Sequence, residues 1–326
     1  MAGRNVGPSR NARGTVRKSR NTMSRSRRRT HKSRRIGPLR AWQWCLAALL
    51  GAGLLISCSL LARQMLEDRR TADIIARNRA LARGDQATEE PQATPAADAT
   101  PSADVPSEAE PTATPYARVT SASAPLTSAG TVDLLALRRQ NVDTVGWLTM
   151  DSVKAIDFAV VQGRNAFYLK HDFDQRANSY GTPFLDEGSP LAASPDNLII
   201  YAHNMRNGLM FGELNRVLEE GRLLDDPYVR FHTIYGSRTF IPYAVCDISV
   251  NPESVNYLQY YQPYFTGPGQ FIEYVYRAER ISRVTLPWHA QFGDQLLTLV
   301  TCGEGEDDRL VVFLRAVRST ELVPED

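Results

Sequence analysis

Residues 41–62 read AWQWCLAALLGAGLLISCSLLA, 22 positions without a charge. At about 1.5 Å of rise per residue, such a helix matches the ~30 Å hydrocarbon core of a bilayer. No other feature constrains the chain as strongly, because an apolar run of this length fits poorly in the core of a domain this size. It predicts a transmembrane helix over 41–62. The neighbouring charge predicts its direction. Residues 1–40 hold 14 of the 38 Lys and Arg residues and no acid, leaving 24 basic against 36 acidic residues beyond them. An arginine-rich tail abutting an apolar span keeps its own side of the membrane cytoplasmic, so everything after residue 62 is expected outside. Such a run reads as a topology and lipid-headgroup signal rather than a nucleic-acid site. Leu55-Ile56-Ser57-Cys58 has the form of a lipoprotein cleavage site, but the long basic region and the apolar residues after the cysteine favour a retained span.

Beyond the span, 63–84 lacks proline, is rich in helix formers and ends at Gly84, which predicts a juxtamembrane helix. Residues 85–130 carry seven prolines among Ala, Thr, Ser and Glu, with little to bury. That composition predicts a disordered spacer that lifts the remaining body from the membrane. The body, 131–326, is long enough for one well-packed domain. Val132, Leu135 and Leu137 fall near helical spacing. Asn197–Tyr201, Arg238–Val245, Leu296–Val300 and Leu310–Leu314 are short, β-rich and bounded by turns. Residues 269–283 place Phe271, Tyr274, Val275 and Ala278 at helical offsets. The reading is a mainly β barrel or sandwich with a helix inserted between strands.

Four cysteines are present, and Cys45 and Cys58 fall in the span. Cys246 sits in an apolar strand and reads as a buried hydrophobe rather than half of a disulfide. Cys302 ends the strand LLTLVTC and precedes the loop GEGEDD, where a rigid element meets solvent. A thiol there invites a nucleophile reading. It would need a histidine, and His171, His203, His232 and His289 are the extracytoplasmic choices. His203 stands at the matching place, directly after the apolar strand that ends at Tyr201 and before the turn NMRNG. Spacing leaves the choice open. No His or Cys pair has zinc-site spacing, and the acidic run 304–308 reads as a solvated loop.

At these residues the sequence resembles the class B sortases, cysteine transpeptidases of the Gram-positive cell surface. Thr298-Leu299-Val300-Thr301-Cys302 is similar to the family's T-L-x-T-C strand, and Asn197–Met205 to its N-x-x-I-Y-G-H-N-M segment. The likeness continues through Asn141, Asp143, Gly146-Trp147, Tyr168-Leu169, His171-Asp172-Phe173, Phe184-Leu185-Asp186 and Met210–Leu214, covering about 132–318. Ala202 stands where the family has glycine and Val300 where serine is common near the substrate channel.

The resemblance implies a closed eight-stranded β-barrel with N-terminal helices and a helix between the sixth and seventh strands. It implies Cys302 as nucleophile, His203 as catalytic histidine and Arg309 as the third residue, with Arg315 and Arg318 as rivals for that arginine. Arg309 is preferred because it begins its strand, whereas Arg315 lies about 20 Å further along at ~3.3 Å per residue. The implied reaction cleaves the C-terminal sorting signal of an exported protein after threonine and transfers the acyl group to an amine of peptidoglycan or of a pilin lysine. It implies no metal, organic cofactor or nucleic-acid partner. A hydrolytic cysteine protease and an inactive wall-binding scaffold are the alternative functions.

Overall fold

The computed structural model describes residues 38–84, 132–302 and 307–321, with residues 38–41 and 302 as backbone only. The basic tail before residue 38, the proline-rich segment and the loop 303–306 lie outside the described residues. The chain divides into two units, Met1–Cys58 and Ser59–Asp326. In the first, the described residues form the start of α1 (Pro38–Ala82), and Trp42, Trp44, Leu49, Leu54 and Leu55 are exposed. The helix is long and apolar enough to cross a membrane.

The second unit is a closed barrel of eight strands: β1 (Thr144–Met150), β2 (Asp157–Val161), β3 (Phe184–Leu185), β4 (Asn197–Tyr201), β5 (Val229–Thr233), β6 (Gly236–Ser249), β7 (Leu296–Cys302) and β8 (Asp308–Ala316). Around the barrel their order is β1-β2-β3-β4-β7-β8-β6-β5. Most neighbours are antiparallel, but β2 pairs with β3 and β4 with β7 in parallel. The alternation of side chains along each strand sorts them onto two faces. Leu297 and Leu299 of β7, like Leu310, Val312 and Leu314 of β8, fill the interior with Leu198 and Ile200 of β4. Leu296 and Val300, with Val311 and Phe313, face outward.

That outer face is covered by α3 (Pro268–Arg280), which lies between β6 and β7 in the chain as the resemblance implied. Pro268 opens the helix at a position where its missing N–H is no loss. Phe271, Tyr274, Val275 and Ala278, the four residues read at helical offsets, are buried against the sheet with Val300 and Cys246. Val300, expected near the substrate channel, is therefore packed in this layer with 1% exposure. Cys246 is free, and its Sγ–H donates to the Ala278 carbonyl at 3.2 Å. Burial pushes its thiol up to about 12. The first helix of the body, α2 (Leu134–Gln140), is capped by Asp133, whose carboxylate accepts from Ala136 N–H. It buries Leu134, Ala136 and Leu137, whereas Leu135, read on the packing face, is exposed.

The second unit includes the second half of α1, which packs on β1, β2 and the segment 167–182. Ile74 and Ala82 are buried there, and charged pairs join the same contact. Arg70 pairs with Asp172 at 2.8 Å, Arg77 with Asp174 at 2.5 Å, and Arg79 and Arg83 both with Asp157 at 3.0 Å. The Arg77 guanidinium holds the Asp174 carboxyl below its ordinary range. Asp133 N–H donates to the Ala82 carbonyl at 2.8 Å. The bond holds together the two residues that flank the proline-rich segment, and the expectation that this segment is a disordered spacer lifting the body from the membrane lies outside the described residues.

Candidate active site

Three strand ends meet on the outer face of the barrel. β4 runs parallel to β7 with Tyr201 opposite Val300, and Ala202 N–H extends the ladder to the Val300 carbonyl at 3.2 Å. One step further, His203 comes level with the end of β7, where Cys302 is placed by its backbone. β8 returns antiparallel, with Cys302 opposite Arg309. Residues separated by about a hundred positions are thereby set in adjacent rungs about 4.8 Å apart.

His203 is half-buried. Its Nε2 lies 2.8 Å from the Leu169 carbonyl, which can only accept, so Nε2 carries a proton and the neutral ring would use Nδ1 as its base. The turn after it is closed by Phe211 N–H donating to the His203 carbonyl at 2.9 Å and by a bridge between Asn204 and Met210. Met210 holds φ at +55°, a left-handed conformation that disfavours a non-glycine residue and is kept by its burial in the core. The other histidines have separate settings. His171 stacks on Phe167 at 3.9 Å, His232 is buried with Nδ1 2.6 Å from Ser237 Oγ, and His289 pairs with Glu279 at 3.0 Å.

Arg309 is half-buried at the start of β8, with Nη1 donating to the Asp308 carbonyl at 2.7 Å. Its rivals lie at the other end of the barrel. Arg315 is opposite Leu296, where β7 begins, and is 1% exposed. Its guanidinium grips Glu321 at 2.5 and 2.6 Å and donates to the carbonyls of His289 and Ala316. Arg318 is held by Asp294 at 2.6 Å. Both arginines fasten the C-terminal segment, and neither is near Cys302. The sequence reading missed the Leu169 carbonyl, because a backbone acceptor leaves no side-chain signal.

Comparison with known proteins agrees with this architecture. The model of the sortase domain matches residues 148–317, just over half of the chain. Sortase B of Listeria monocytogenes is 28% identical over 179 residues, 54% of this chain and 69% of that protein. The crystal structure of Clostridium perfringens sortase B shares 27% identity with a TM-score of 0.51, covering 56% of this chain and 97% of that one. A Staphylococcus aureus sortase B–substrate complex shows the same fold at 21% identity and a TM-score of 0.51, over 57% and 85% of the two chains. With a barrel of matching order and a thiol and an imidazole on adjacent strand ends, the chain belongs to the sortase family of cysteine transpeptidases, and within it to class B.

Proposed function

We propose that this protein is anchored through 41–62 with its N-terminus in the cytoplasm, and that it cleaves the sorting signal of exported proteins after threonine. The observation that carries the assignment is the register β4-β7-β8, which sets His203, Cys302 and Arg309 on neighbouring rungs. The Cys302 thiolate attacks the threonine carbonyl, forming a C–S bond and a tetrahedral oxyanion toward which Arg309 donates hydrogen bonds. Collapse expels the amine of the following residue, which takes its proton from His203, and leaves a thioester. An incoming amine then gives up a proton to His203, attacks the thioester and releases the thiolate, so the product is a new amide. A peptidoglycan or pilin-lysine amine is the acceptor in this reading.

The test is a library of quenched peptides bearing N-P-x-T-x and L-P-x-T-G type signals, read by mass spectrometry with and without an added amine, beside Cys302→Ala. Amine-bearing product that disappears in the variant is expected. Hydrolysis alone, unaffected by any amine, would favour a protease. Absence of a Cys302-dependent adduct with every peptide would leave a scaffold.

A further inference from the structure

One buried side chain joins α1 to the loop that carries His203. The Tyr180 hydroxyl donates to the Asp68 carboxylate of α1 and accepts from Asn207 Nδ2 at 2.9 Å. Asn207 lies four residues after His203, inside the turn that Phe211 closes on the His203 carbonyl. Burial foremost, with the Asp68 bond adding to it, raises the Tyr180 hydroxyl to about 12, so its one proton stays in place to serve Asp68.

The residue next to it reaches His203 from the other side. Gly181 has φ +62°, and a Cβ there would sit 2.5 Å from the Tyr168 carbonyl oxygen and 3.1 Å from that of Leu169. Only glycine lets this backbone press on the carbonyl that receives His203 Nε2. α1 clamps the same segment through Glu67 to Ser179 at 2.7 Å and Thr71 to Asn178 at 3.1 Å. His203 is therefore bracketed by two elements, its acceptor carbonyl and its following turn, and both are tied to α1 at residues 178–181.

We propose that Tyr180 is a positioning residue for His203, which makes the docking of α1 at Glu67–Thr71 part of what aligns the imidazole. This rests on His203 being the proton-transfer group. A purely structural tyrosine would fasten the helix and nothing more. Arg79 supplies that comparison, since it bonds Asp157 and the Ala155 carbonyl and does not touch Tyr180 or the His203 turn.

The experiment uses the full chain in detergent micelles, with whichever peptide and amine the wild type joins, and begins with His203→Ala. A misplacement of a reacting group by about 1 Å lowers rates by up to ~100-fold, so a lost hydrogen bond at one remove is expected to lower kcat roughly tenfold. Tyr180→Phe, which keeps the ring in its pocket, and Asp68→Ala should each show that loss with KM nearly unchanged. Their double variant should be no slower than either alone, and Asp68→Asn, which keeps an acceptor oxygen, should recover most of the rate. Arg79→Ala should melt earlier yet keep its kcat at 25 °C. Wild-type kcat in Tyr180→Phe overturns the proposal, as does a kcat that merely tracks melting temperature through the whole set, Arg79→Ala included. Full activity in His203→Ala would instead remove the assignment of His203 itself, and this proposal with it.

Discussion

The residues that flank segment 85–131 are held together by a hydrogen bond from Asp133 N–H to the Ala82 carbonyl. Replacing that segment with a Gly/Ser linker of about nine residues shortens it roughly fivefold. Nine residues extend to ~30 Å, ample for ends this close. Closing a flexible loop costs free energy that grows as (3/2)RT ln n, so a fivefold shortening should stabilise the fold by roughly 1.4 kcal/mol if the segment is the flexible chain its composition implies. A domain of this size gains about 2–4 °C in melting temperature per kcal/mol, which gives an expected rise of about 3–6 °C. The assay is thermal unfolding of the full chain in micelles, followed by near-ultraviolet circular dichroism, with transfer measured alongside. A lower melting temperature would refute the reasoning, because it would mean that the removed residues contribute contacts. So would a collapse of transfer at unchanged stability, which is what a true spacer predicts.

Arg315→Met strips a buried guanidinium from Glu321 and from two carbonyls, and is expected to destabilise by about 3 kcal/mol in urea titration. Arg309→Ala should leave stability nearly unchanged while lowering transfer by about 100-fold or more, the usual range for losing an oxyanion donor. The hydrogen bond from Arg315 lowers the Glu321 carboxyl below its ordinary range, so its stabilisation is complete above that range and fades as pH falls through the lowered value. The acid limb of stability against pH should therefore flatten in Arg315→Met. In a Cys45→Ser/Cys58→Ser background, a thiol reagent at pH 8.5 should modify Cys302 and reach Cys246 only in denaturant, since burial holds that thiol near 12; rapid labelling of Cys246 in the folded protein would contradict its placement. Gly181→Ala should cost about 1–3 kcal/mol from the left-handed backbone and the Tyr168 contact, and should slow transfer as the Leu169 carbonyl shifts.

The motifs around His203 and Cys302 were legible because each occupies a strand end with β-rich residues before it and turn residues after it. The inserted helix was legible too, since Phe271, Tyr274, Val275 and Ala278 share one face and all four are buried. The docking of α1 was not. Arginines that pair with Asp157, Asp172 and Asp174 resemble, in sequence, the solvated charges of a free helix. Leu135 misled for a related reason: in a seven-residue helix, Leu134 and Leu137 already fill the buried face. The two arginines of the last strand are separated by register, because Arg309 and Arg315 lie on the same face of β8 at opposite ends.

β4 and β7 are parallel neighbours although about a hundred residues separate Asn197 from Thr298, which share a hydrogen bond. Between them the chain must complete β5, the fourteen residues of β6 and the whole of α3. Contacts so distant in sequence form late, because the entropy of the intervening chain is lost before the pairing rewards it. Cys302 therefore meets His203 only when the barrel closes. A chain still folding carries the thiol without its neighbouring imidazole, so competence for transfer arrives together with the finished tertiary structure.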